Sequence, residues 1–144
     1  MLHKTLGRSG RLISPIGLGT VTFGREIDEK ESYSIMDHAL ENGLTWFDTA
    51  ESYGGGQSKT NRKTTSGGDD QREITIEMSS SERIIGRWLN KTGNKDSVTI
   101  CTKASNGDPE KIHNSVTGSL ERLGLTRLDI YKLHSPTLDV PIDE

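Results

Sequence analysis

The sequence holds a single cysteine, Cys101, among 144 residues. An internal disulfide is excluded, and a lone thiol among charged residues suits a reducing compartment, so the cytoplasm is the expected location. Long apolar runs are missing too: Met1 to Gly10 carry Lys4 and Arg8 but nothing that could serve as a signal segment or span a bilayer. No membrane contact is expected. Neither sign of charge dominates, with 18 Lys and Arg against 21 Asp and Glu and a formal net charge of −3. The two signs are mixed along the chain, which leaves no polyanion-binding surface and argues against nucleic acid as a partner. His3, His38 and His113 have no Cys or carboxylate at ligand spacing, so no metal site is expected. Hydrophobic residues are sparse at 30%, which implies that part of the chain stays out of the core.

What is present is regular punctuation within one domain, 1–144. Gly7, Gly10 and Pro15 between short apolar stretches predict a hairpin and then a strand over residues 13–19. Asp28 followed by Glu31 has the spacing of a capping box, and Ile35, Met36, Ala39 and Leu40 recur at helical spacing until Gly43 supplies a left-handed stop. Residues 44–49, rich in Thr, Trp and Phe, predict a strand. From 55 to 80 the composition turns to Gly, Ser, Thr, Asn, Lys and Asp, as in a mobile loop, with Ile74, Ile76 and Met78 alternating as in a short strand. Ile84, Ile85, Trp88 and Leu89 then form one face of a helix that starts at Ser81 and ends before Gly93. A strand is predicted over 97–103, a helix from Asp108 and Pro109 to Gly124, and a strand over 127–133. Pro141, Asp143 and Glu144 read as a further first helical turn.

Strands alternating with helices predict an α/β chain with a parallel sheet and right-handed crossovers. In a barrel of such units the working residues lie at the C-terminal ends of the strands. Asp48, Lys103 and His134 close successive predicted strands, and Tyr53 follows Asp48 on the same loop. A phenol, with a pKa of about 10, is a poor acid at neutral pH, but a nearby ammonium such as that of Lys103 favours the phenolate. Asp48 would keep the lysine charged, and His134 would hydrogen-bond a substrate oxygen. This set suits protonation of a developing alkoxide. No side chain offers a hydride, so a nicotinamide cofactor would have to supply it.

Five stretches, 17–24 (GLGTVTFG), 43–54 (GLTWFDTAESYG), 81–86 (SERIIG), 101–103 (CTK) and 120–134 (LERLGLTRLDIYKLH), resemble in order and spacing the successive motifs of the aldo-keto reductase superfamily. The resemblance implies the N-terminal half of a (β/α)8 TIM barrel: four parallel strands and three helices plus an N-terminal hairpin, truncated before the C-terminal half-barrel needed for closure. It implies Asp48, Tyr53, Lys103 and His134 as a catalytic tetrad with Tyr53 the general acid. It further implies NADPH (NADP) as cofactor, contacted by Gly19, Thr20, Val21 and Asp48, and a small-molecule aldehyde or ketone as substrate. Relative to the family pattern, residues 59–80 look like a flexible insertion on the active-site face.

Each signal is weaker alone. Gly17-x-Gly19 is not a dinucleotide fingerprint, because no glycine follows at the required position. Asp48 could be a cap, Lys103 a solvated strand end and His134 a loop histidine; Cys101 reads as core filler. Two other functions fit the resemblance: a non-catalytic binding or regulatory module like the potassium channel β subunits, or an inactive truncated product.

Overall fold

The computed structural model describes residues 2–55, 75, 77–105 and 107–135. The expected insertion falls mostly outside them, as do Ile74 and Ile76 of its expected short strand and the expected helical turn at 141–144.

A hairpin of β1 (Lys4–Thr5) and β2 (Leu12–Ile13) opens the chain. Then follow β3 (Leu18–Gly19), α1 (Glu29–Glu41), β4 (Trp46–Asp48), α2 (Ser80–Thr92), β5 (Thr99–Ala104), α3 (Pro109–Leu123) and β6 (Ile130–Leu133). Strands β3, β4, β5 and β6 lie side by side in chain order, all parallel. The expected helices and the four-stranded parallel sheet are therefore present. The continuous strand expected over 13–19 is not: it splits into β2 and β3, which belong to different sheets. The break has a local cause. Pro15 has no N–H to give a ladder, and Ser14 is diverted, its backbone N–H donating to Thr45 Oγ1 and its hydroxyl to the Ile16 carbonyl.

The helices begin where the sequence stops them from beginning earlier. Asp28 Oδ1 accepts from the Glu31 N–H at 2.7 Å, and Asp108 Oδ1 accepts from Glu110 at 3.0 Å, each satisfying a first-turn donor that has no partner inside the helix. Gly124 stops α3 in the left-handed conformation at φ 63°, where a side chain is disfavoured.

Side chains alternate across the sheet with period two. Phe47 and Ile100 point to the helices and pack with Met36, Ile85, Trp88, Leu89 and Leu123, all at most 2% exposed. Burying an aliphatic or aromatic side chain of this size is worth about 1.5–3 kcal/mol. The rings of Phe47 and Trp88 meet at 5.6 Å, and the indole N–H of Trp88 donates to Asp37 at 2.7 Å, so the buried ring leaves no donor unpaired. Helices α2 and α3 approach closely at Gly86, where a Cβ would lie 2.2 Å from the Arg122 carbonyl oxygen. Between them the fully buried Glu82 accepts from Thr102 of β5 and from Arg122 of α3, each at 2.6 Å. No helix among the described residues is long and apolar enough to cross a membrane.

Candidate active site

The opposite face of the sheet carries the polar residues. Asp48, the last residue of β4, is in register with Gly19 of β3 and Cys101 of β5, and Lys103 of β5 with Lys132 of β6. Period two therefore puts Asp48, Cys101, Lys103 and Lys132 on one surface, away from the helices. Cys101 is fully buried there, and burial pushes its thiol up from the ordinary value.

Lys103 is the centre of the site. Its ammonium donates to Asp48 Oδ2 at 2.8 Å, to the Thr49 carbonyl at 2.8 Å and to the Tyr53 hydroxyl at 3.2 Å. An ammonium has three protons and no lone pair, so its hydrogen bonding is complete. Since the phenolic oxygen accepts from the lysine, the phenolic proton remains free to be donated elsewhere. Lys132 takes the other carboxylate oxygen, its Nζ lying 3.0 Å from Asp48 Oδ1. Burial alone would raise the Asp48 pKa, but the hydrogen bonds from Lys103 and Lys132 outweigh it and hold the carboxyl below its usual range.

His134 follows β6, fixed by its backbone N–H to the Ala104 carbonyl at 2.8 Å. Its ring stands edge-on to that of Tyr53, with centroids 5.4 Å apart and planes at 80°. Ser52 Oγ lies 3.3 Å from His134 Nδ1. Desolvation, with Lys103 next, lowers the histidine pKa from 6.5, which favours a neutral ring at neutral pH.

The four residues expected from the sequence, Asp48, Tyr53, Lys103 and His134, thus meet at the C-terminal mouth of the strands. The loop bearing Tyr53 is pinned at several points. The Ser105 N–H donates to Glu51 Oε1 at 2.7 Å, Gly55 N–H donates to Ser80 Oγ at 2.9 Å, and Ser79 Oγ donates to the Glu51 carbonyl. Behind Asp48, three fully buried hydroxyls join the first two loops to the start of α2: Ser81 Oγ lies 2.9 Å from both Thr20 Oγ1 and Thr49 Oγ1, and Thr20 Oγ1 donates to the Asp48 carbonyl at 3.0 Å.

Of the residues expected to contact a cofactor, Thr20 therefore has its side chain turned inward and could approach a ligand only through its backbone. Gly19 is different. A Cβ there would meet nothing within 4 Å, which leaves open space beside Asp48. Val21, half-buried, borders it. Two residues at the site were not singled out from the sequence. Lys132 had a signal, since it stands two residues before His134 and so shares its strand face. Ser52 had none, because the direction of a loop side chain is not encoded in any period.

The four-stranded parallel sheet thus carries an acid, a phenol, an amine and an imidazole at the C-terminal end of its strands, the end at which barrels of such units hold their working residues. Residues 15–144 match the Aldo/keto reductase family, and the chain belongs to that family of oxidoreductases. It is 32% identical, along its whole length, to the Bacillus subtilis "Uncharacterized oxidoreductase YrpG", 43% of which it covers. It is 28% identical, again along its whole length, to an Arabidopsis thaliana protein named "Probable voltage-gated potassium channel subunit beta", covering 40% of it. Among solved structures, an aldo-keto reductase from Klebsiella pneumoniae in complex with NADPH superposes on 98% of the chain at a TM-score of 0.70 and 25% identity, 42% of that chain being covered. The chain thus spans less than half the length of these relatives. Its fold corresponds to the N-terminal half of their (β/α)8 barrel.

Proposed function

We propose that the chain carries the catalytic half of an NADPH-dependent reductase of small aldehydes or ketones, with Tyr53 as the general acid. The observation that carries this reading is the position of Lys103 Nζ, 2.8 Å from Asp48 Oδ2 and 3.2 Å from the Tyr53 hydroxyl. When bound, the reduced nicotinamide supplies the hydride to the carbonyl carbon. Gly19, Val21, the Thr20 backbone and Asp48 would hold its ring at the mouth of the sheet. Tyr53 gives its free proton to the carbonyl oxygen as charge builds there, and Lys103 stabilises the phenolate that remains. Asp48 holds Lys103 in place through their ion pair at 2.8 Å. His134, neutral, donates a hydrogen bond that orients the same oxygen.

The contact of Gly55 with Ser80, neighbours in space across 25 residues of chain, supports the reading of residues 59–80 as an insertion. The cytoplasm remains the location we infer for the protein.

The test is turnover of an aromatic aldehyde with NADPH by the full-length protein. Tyr53→Phe should lower kcat by about 100-fold or more, the usual worth of a positioned proton donor. Unchanged turnover would remove Tyr53 from the chemistry. The relative named as a channel subunit supports a second reading, a binding or regulatory module, for which the expected result is a stable protein partner in pull-down with no turnover.

A further inference from the structure

A neutral imidazole has one N–H and one lone pair, so a histidine with a lowered pKa can orient a carbonyl oxygen only if the correct nitrogen carries the proton. Two observations bear on which one does. Ser52 Oγ lies 3.3 Å from His134 Nδ1. Among the described residues no group hydrogen-bonds to Nε2, while the ring as a whole is held edge-on against Tyr53.

We propose that Ser52 is a positioning residue that donates its hydroxyl proton to His134 Nδ1, and so fixes the proton of the ring on Nε2. Resting on the reading of His134 as donor to the substrate oxygen, the assignment names what makes that donor available. With Nδ1 accepting from Ser52, the nitrogen left without a protein partner is the one bearing hydrogen. The opposite tautomer would have Nδ1–H donating to Ser52 and would present a lone pair at Nε2, which repels the lone pairs of a carbonyl oxygen. Lys103 works in the same sense: its positive charge disfavours the doubly protonated ring, in which Nδ1 could no longer accept. Glu51, Asp48 and Lys132 are the other charged groups acting on the ring, the two carboxylates opposing Lys103 and Lys132. Ser52 reaches His134 across β5, from the loop after β4 to the end of β6. The hydroxyl thereby couples the loop that carries Tyr53 to the strand end that carries the imidazole.

The test is the ring-nitrogen NMR spectrum of the 144-residue chain, at a pH above the histidine titration, with His134→Gln to assign the signal among four histidines. Expected is a dominant Nε2–H form for His134. In Ser52→Ala the ratio of Nε2–H to Nδ1–H should fall by roughly 2- to 10-fold, the span that one net hydrogen bond represents. Ser52→Thr, which keeps the hydroxyl, should restore it. A dominant Nδ1–H form in the parent, or an unchanged ratio in Ser52→Ala, would overturn the assignment. Because a neutral histidine ordinarily favours Nε2–H, the decision rests on the change in ratio when the hydroxyl is removed, read in Ser52→Gly should Ser52→Ala not fold. Because the tautomer is read without substrate or cofactor, this result stands or falls separately from the turnover of Tyr53→Phe.

Discussion

Asp48 and Lys132 form an ion pair at 3.0 Å that completes the pairing of a carboxylate already held by Lys103 at 2.8 Å. Two ammonium groups thus share one counter-ion at the mouth of the sheet. Neither lysine is close to its charge-balanced state without Asp48.

Asp48→Asn should therefore destabilise the chain by about 3 kcal/mol, the low end for removing one partner of a buried pair, because Asp48 retains some solvent contact. Urea unfolding followed by circular dichroism measures it. A loss below about 1 kcal/mol would mean that water, not Asp48, neutralises the lysines.

Acid unfolding should report the same carboxylate. The folded Asp48 pKa lies below its unfolded value near 3.8, so between the two the unfolded chain binds more protons and stability falls as pH falls. That contribution is complete above the unfolded value. Lys132→Gln removes one of the groups that lowers the pKa, so less stability is linked to Asp48 ionisation and its titration moves to higher pH. Carboxyl-carbon NMR of Asp48 in parent and variant gives the comparison, and coincident titrations would count against the ion pair.

His134 adds a second window of the same sign. Its folded pKa is depressed below 6.5, so its contribution is present above that value and is lost as pH drops through the lowered one. His134→Gln should flatten stability against pH in this range while leaving the carboxylate region unchanged. A slope equal to that of the parent would place the histidine in water in the folded chain.

Gly86→Ala should cost about 1–3 kcal/mol or more in the same urea assay. The added Cβ would lie 2.2 Å from the Arg122 carbonyl and 2.9 Å from Leu123 backbone atoms, and backbone cannot rotate away as a side chain can. An unchanged midpoint would show that α2 and α3 slide apart freely.

Much of the fold could be read from the sequence because helix ends are written in residue types. Asp28, Asp108 and Gly124 cap where their chemistry requires. Strand lengths were less legible: β3 and β4 are shorter than the runs 13–19 and 44–49 that predict them. The four site residues were readable because Asp48 ends β4, Lys103 stands one residue before the end of β5 and His134 follows β6, so topology brings them together. Lys132 shares its face with His134 by strand alternation, but its pairing with Asp48 across β5 depends on the register of β6 against β5, which no local pattern specifies. The division of 13–19 between two sheets was half legible: Pro15 stands in the sequence, but the Ser14 bond to Thr45 spans 31 residues.

The hydroxyls of Thr20, Thr49 and Ser81 behind Asp48 do not titrate at any pH a protein survives, whereas Asp48 and His134 in front of them do. Acidification should accordingly loosen the mouth on one side only, letting the strand ends of β5 and β6 part while the first two loops stay stitched to α2. An acid form of this chain, at a pH low enough to protonate Asp48, would be expected to keep its early units intact and to fray from the late ones.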